Sequence, residues 1–183
     1  TFNPMMLANP IEEKDFTNIN SKNFVAEWKW DGIRVQIILN DFNIKIFSRT
    51  GDDISLTFPE IKSLEKNMVI LDGELLVGRN YIPMNFNMLQ QRLNRKKVSQ
   101  KHIDDFPAFV KLYDILYLNN EDLREKNWEE RRKILEGWYC KNKSDFFDLS
   151  KIINFNNWEN LAEIRKNEII DDQHEGLMIK QKY

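Results

Sequence analysis

Cysteine is nearly absent. Cys140 stands alone among 183 residues, so no internal disulfide can form and a reducing compartment is expected. Six glycines and five prolines are too few for a collagen-like or low-complexity chain, and no linker or internal repeat interrupts the sequence. No apolar run approaches the roughly 20 residues of a membrane span, and the N-terminus lacks the pattern of a secretion signal. We therefore expect no membrane partner and a cytoplasmic or otherwise intracellular setting. Excess charge is missing too: the formal net charge is −2, so only a local basic cluster would mark a nucleic-acid binder. Of the two histidines, His174 has no second ligand at metal-like spacing and is assigned to a loop. What remains is ordinary apolar content with 12% aromatics, enough for one core, and a single domain is expected over residues 1–183.

The stretch Glu27-Trp28-Lys29-Trp30-Asp31-Gly32-Ile33-Arg34 organises the reading. Phe24-Val25-Ala26 before Lys29 is apolar, and Arg34-Val35-Gln36-Ile37-Ile38-Leu39 after it is β-branched, so both read as strands. Asp31-Gly32 is tight-turn chemistry, and a hairpin is expected with Lys29 at a strand end facing a pocket. Alternation sends Trp28 and Trp30 to the opposite face. A lysine amine attacks only once it has lost its proton, which burial or neighbouring cations promote; Arg34 is the nearby cation. A surface lysine in an ordinary hairpin is the competing reading.

Acids and cations then recur at strand ends. Asp41-Phe42-Asn43 turns the chain into a strand over Ile44–Phe47, and Ser48-Arg49-Thr50-Gly51 places a guanidinium where it can fork onto a phosphate. Phe58-Pro59 is expected to open a short helix with Ile61, Leu64 and Glu65 at helical spacing. Met68 to Val77 reads as a buried strand, or two strands meeting at Gly73. Asp72 and Glu74 share one face of it, where acids need an ion pair, hydrogen bonds or a metal. Phe86 to Leu93 looks helical and runs into Arg92, Arg95, Lys96, Lys97 and Lys101, either a solvated helix end or a phosphate-backbone contact. Ala108 to Leu118 is a strand carrying Tyr113-Asp114, an aromatic able to stack on a base. A helix from Trp128 to Leu135 is read as packing and salt bridges. Phe147 to Ile153 reads as a strand. Asn156 or Asn157 then caps a helix through Ile170, with Trp158, Leu161, Ala162 and Ile169 inward, and Asp171 to His174 ends it.

In this order and spacing the motifs resemble those of the ATP-dependent DNA ligases, part of a superfamily of covalent nucleotidyltransferases that includes RNA ligases and capping enzymes. Lys29-Trp30-Asp31-Gly32-Ile33-Arg34, with Glu27 upstream, resembles the first ligase motif, and Ser48-Arg49-Thr50-Gly51 the second. Leu71-Asp72-Gly73-Glu74-Leu75, Tyr113-Asp114-Ile115 and Glu175-Gly176-Leu177-Met178-Ile179-Lys180 resemble the later ones, with Tyr113 where many ligases carry Phe. Pro4 to Ala8 resembles the family's lead-in, and the stretch from Phe86 to Lys96 resembles bacterial and archaeal ligases.

The resemblance implies an α+β domain of two mainly antiparallel sheets flanked by helices, with the nucleotide pocket between the sheets. It implies that Lys29 takes AMP from ATP, that Glu27 accepts a hydrogen bond from the adenine amine, and that Tyr113 stacks on the ring. Arg34, Arg49, Glu74 and Lys180 would serve the nucleotide, and Glu74 and Glu175 would hold Mg²⁺. Arg49, Arg92, Arg95, Lys96 and Lys97 would contact DNA. The expected partner is nicked double-stranded DNA, sealed by a monomer in repair, replication or recombination. Family members continue with a lysine-containing strand and an oligonucleotide-binding domain, and the chain is expected to stop before both. The alternatives are an RNA ligase or capping-type enzyme, or a nucleotide- or DNA-binding fragment without turnover.

Overall fold

The computed structural model describes residues 2–93, 95, 97–168 and 174–183. Its strands in chain order are β1 (Phe24–Trp30), β2 (Ile33–Asn40), β3 (Asn43–Ser48), β4 (Val69–Arg79), β5 (Ile82–Pro83), β6 (Ala108–Leu118), β7 (Glu121–Asp122), β8 (Phe147–Leu149), β9 (Ile152–Ile153) and β10 (His174–Gln181). Helices α1 (Phe86–Gln90), α2 (Gln100–Asp105), α3 (Trp128–Lys141) and α4 (Trp158–Glu168) lie between them.

Two sheets result. The larger has seven strands, in the order β3-β2-β4-β6-β7, with β5 added to β4 and β8 to β6. Every pairing in it is antiparallel except β6 with β8. The smaller has three antiparallel strands, β10-β1-β9, with β1 in the middle. The expected α+β architecture is therefore present.

The large sheet is built from local signals. Its central strand β4 is an almost unbroken apolar run, and from Val69 to Gly78 only Glu74 escapes full burial. Two-residue turns close the β2/β3, β4/β5 and β6/β7 hairpins. Asp41-Phe42, Asn80-Tyr81 and Asn119-Asn120 all take positive φ, between 49° and 67°, the sense that matches strand twist. Leu39, Ile46, Leu71, Leu75, Val110 and Leu112 fill the interior, and Phe58, Leu89 of α1 and Leu135 of α3 cover them. Each such side chain contributes about 2 kcal/mol by leaving water. Helix α3 starts on a reciprocal cap: Asn127 Oδ1 accepts from Glu130 N at 3.0 Å, and Asn127 N donates to Glu130 Oε2 at 3.1 Å.

Several expectations need correction. The strands flanking Asp31-Gly32 form no hairpin: β1 belongs to the small sheet and β2 to the large one, so this dipeptide carries the chain between sheets. A Cβ at Gly32 would lie 2.4 Å from the Leu75 carbonyl oxygen, so only glycine lets the chain pass so close to β4. The stretch 147–153 likewise divides, with β8 in the large sheet, β9 in the small one, and Ser150-Lys151 crossing between them. The two crossings touch, since Trp30 Nε1 donates to Ser150 Oγ at 3.3 Å.

No helix forms over 58–65. Phe58 and Ile61 are buried, Leu64 is 91% exposed, and Glu60 turns inward to Arg92. His174 opens β10 rather than lying in a loop, stacked on Trp28 with ring centres 4.1 Å apart. Ala162 of α4 is exposed while Leu161 is buried, and the expected helix end at Ile169 and Ile170 lies outside the described residues.

Candidate active site

Lys29 sits near the end of β1, opposite Gly176 of β10, and its side chain is half exposed. Its amine donates a hydrogen bond to the Glu175 carboxylate, an ion pair across neighbouring strands. Asp31, just past the strand, is held above the ordinary carboxylate range by burial, with the Glu175 charge adding to it. Two residues before Lys29, Glu27 points to the same face and is 1% exposed. Lys180 of β10 approaches it, Nζ to Oε2 3.2 Å.

The large sheet supplies the facing groups. Arg34 on β2 lies opposite Glu74 on β4, and forks onto Asp72: Nε to Oδ1 is 3.1 Å and Nη2 to Oδ2 is 2.6 Å. Burial works against the Arg34 charge, but the hydrogen bonds and charge of Asp72 outweigh it and its pKa rises. The lead-in segment closes over this pair. The Met6 carbonyl accepts from Arg34, and Asn3 exchanges backbone hydrogen bonds of 2.8 and 3.0 Å with the Gln36 side chain.

Among the described residues Glu74 has no such partner. Burial, then the Asp72 charge, pushes its carboxyl up to about 8, and Glu175 adds to the rise while Arg34 and Lys29 oppose it. Glu74 therefore feels both Lys29 and Glu175 of the small sheet. Tyr113 on β6 is held well above its usual value by burial and by Asp72 and Glu74, so its phenol stays neutral. Lys180 Nζ stands 4.7 Å over the Tyr113 ring centre, bridging the two sheets.

Glu27, Lys29, Arg34, Glu74, Tyr113, Glu175 and Lys180 are thus gathered at one place. Arg49 is exposed on the turn after β3, one residue beyond the Val35–Ser48 pair and so at the Arg34 end of the sheet. Among the described residues it makes no ion pair.

The basic stretch is divided. Arg92 does not face DNA: it is wholly buried, forks onto Glu60 at 2.6 and 2.9 Å, and donates to the carbonyls of Phe106 and Thr57 at 2.8 and 2.7 Å. Held by four hydrogen bonds through Nη1 and Nη2, with only Nε lacking a partner among the described residues, it is a clamp between loops. Arg95 and Lys97 are exposed, and Lys96 lies outside the described residues. Lys101 pairs with Asp105 within α2 at 3.0 Å.

Two contributors were expected only as salt-bridge residues of the packing helix, and not at the site. Arg131 and Arg132 of α3 are buried and reach different sheets. Arg131 forks onto Asp114, beside Tyr113, at 2.8 and 2.9 Å, and Arg132 Nη1 lies 3.7 Å from Glu27. The helix read as packing and salt bridges therefore ties to both sheets, through Arg131 to Asp114 and Arg132 to Glu27.

Acids outnumber cations here: Glu27, Asp31, Asp72, Glu74 and Glu175 against Lys29, Arg34, Lys180 and Arg132. No group of three His, Cys, Asp or Glu side chains converges on a metal position among the described residues. This donor set suits a hard divalent cation that takes one or two carboxylates and completes its shell from phosphate and water.

Comparison with known proteins agrees with this geometry. The family model described as ATP dependent DNA ligase domain matches residues 5–183. A DNA ligase of Archaeoglobus fulgidus is 34% identical over 182 residues, covering 96% of this chain and 32% of the relative. A DNA ligase of Thermoplasma volcanium is 34% identical over 188 residues, covering 96% and 31%. The chain spans about a third of the length of such relatives. Among solved structures, mycobacterial DNA ligase D complexed with ATP and MES superimposes with a TM-score of 0.70 at 22% identity, covering 90% of this chain and 50% of that one. A Lig E DNA ligase gives 0.70 at 16% identity, covering 100% and 64%. At these identities the structures establish the fold, and the nearly full-length family match does the rest: the chain belongs to the ATP-dependent DNA ligase domain family.

Proposed function

We propose that this chain is the adenylating part of an ATP-dependent DNA ligase, with Lys29 as its nucleophile. The Lys29 nitrogen forms a bond to the α-phosphorus of ATP, the bond from that phosphorus to the pyrophosphate oxygen breaks, and AMP stays on the lysine. AMP then passes to the 5′-phosphate at a nick in duplex DNA. The 3′-hydroxyl displaces AMP and seals the strand.

The observation that carries this reading is the Lys29 amine in contact with Glu175, among groups from both sheets. An ammonium cannot attack, and Glu175 is the group placed to take its proton. Arg34, fixed by Asp72, presents a charge to phosphate or ribose at no cost of ordering. Tyr113 offers a neutral ring for the base, Glu27 an acceptor for its amine, and Arg49 and Lys180 further cations. Glu74 and Glu175 would hold Mg²⁺, which supplies charge neutralisation on the phosphates when bound. Exposed Arg95 and Lys97, with Lys96, and Arg49 are the DNA-facing cations in this reading.

Incubation with ATP labelled at the α-phosphate tests it. Label should attach to the chain, survive denaturation and vanish in Lys29→Ala. Label acquired from GTP in preference to ATP would favour a capping-type enzyme, and label retained by Lys29→Ala would overturn the assignment.

A further inference from the structure

A buried carboxylate is costly unless its charge is met, and Glu27 is met by two cations held in different ways. Lys180 Nζ stands 3.2 Å from Oε2, on a flexible stem over the face of Tyr113. Arg132 Nη1 stands 3.7 Å from Oε1, close enough to compensate charge but beyond hydrogen-bond reach. Among the described residues Oε1 accepts no hydrogen bond at all. Arg132 is fixed at both ends of its guanidinium: Nε donates to Glu136 Oε1 at 2.7 Å and Nη1 to the Ser150 carbonyl at 3.0 Å. Its second anchor is the chain crossing between the sheets, so α3, the crossing and Glu27 are joined through one side chain.

Lys180 covers one face of the Tyr113 ring, a face open to a stacked base only once the ammonium moves aside. A purine entering there displaces that ammonium, and Arg132 remains as the fixed counter-charge of Glu27. We infer that Arg132 is a positioning residue for base recognition, holding the Glu27 carboxylate with one acceptor unspent for the exocyclic amine of a 6-aminopurine nucleotide. A 6-oxopurine would set its own acceptor against the carboxylate, and an unsubstituted purine would leave the acceptor unpaired. The inference rests on the adenylation reading above and adds to it the residue that sets base selectivity from outside the pocket.

Equilibrium binding to this chain of ATP and of purine riboside 5′-triphosphate, which lacks only the 6-amino group, tests it without requiring turnover. The wild type should prefer ATP by about tenfold or more, the scale of a hydrogen bond to a charged acceptor. In Arg132→Met the preference should fall to within about twofold, with affinity for the analogue little changed. Glu136→Gln, at a half-exposed position, should lower the preference part of the way and serves if Arg132→Met does not fold. A preference that survives in the folded variants, with both ligands weakened alike, would make Arg132 merely structural and overturn the inference alone. A wild type that binds both ligands equally would remove Glu27 as the reader of the amine, and the inference would fall with that part of the reading.

Discussion

The two sheets divide the work unequally. Among the described residues, all nineteen side chains of the main buried apolar cluster lie outside the small sheet, whose strands add only Val25 and Ala26 to the buried apolar set. Yet Glu27, Lys29, Glu175 and Lys180 all belong to that small sheet. The large sheet carries groups whose charges are fixed by burial and forked pairing, Arg34 with Asp72 and Arg131 with Asp114. The small sheet carries groups held by charge against charge, with Lys29 and Glu175 each about half exposed. Rigidity is concentrated in the large sheet, and in the adenylation reading proposed above reactivity belongs to the small one. A reacting amine has to change partners, which a saturated interior would not permit.

The sharpest way to break this comparison is Lys29→Ala. Covalent AMP attachment should disappear, while folding stability stays within about 0.5 kcal/mol because the side chain packs against little. Intact-mass measurement and a urea titration read the two effects, and a large loss of stability would place Lys29 in the framework instead. Next in size is Arg92→Ala, which leaves Glu60 buried without its partner and should cost about 3–5 kcal/mol. Arg95→Ala nearby should be neutral to stability and lower the slope of DNA affinity against salt by about one. The reverse pattern would restore Arg92 to the DNA-facing surface.

Leu71→Ala in the large-sheet interior should cost about 3 kcal/mol. Leu177→Ala on β10, only partly buried, should cost about 1 kcal/mol. Equal costs would mean that the small sheet has a core of its own.

A pH-dependent effect concerns Glu74, whose folded value of about 8 lies above its ordinary 4.5. The folded state therefore binds this proton more tightly, and the stability it contributes is complete below about pH 4.5 and is lost as pH rises through 8. Urea midpoints in chelator without nucleotide should show that decline, and Glu74→Gln should flatten it. A variant with an unchanged pH profile would assign the decline to another group.

The elements of the large sheet were legible because their signals are local. An apolar run specifies β4, and Asp41 and Asn119-Asn120, which tolerate positive φ, mark two of the three hairpin turns, while the Asn80-Tyr81 turn was not read from the sequence. The gathering of Lys29, Glu74 and Glu175 was legible only through the family resemblance, since no local pattern links residues that distant. Three features escaped for identifiable reasons. Asp31-Gly32 signals that the chain bends but not which strand it will pair with, so a passage between sheets looked like a hairpin. Arg92 was counted with its charged neighbours, although a guanidinium between Leu89 and Leu93, in the turn that follows a short helix, can also turn inward to a distant acid. Arg132 reaches Glu27 from a helix whose sequence reads as packing and salt bridges, and nothing local announces which acid, here 105 residues away, its guanidinium will meet.

The separation of Lys29 from Glu175, 146 residues, has a consequence in time. At the usual rate of translation, about 5–20 residues per second, β1 emerges on the order of ten seconds before β10 exists. Until then it has no long partner, since β9 pairs with only Ala26 and Glu27, and Lys29 has no carboxylate from Glu175 beside it. The large sheet needs nothing from β10 and can consolidate during that interval. The nascent chain therefore carries Lys29 on an unfinished edge, and its contact with Glu175 can form only once β10 has been made.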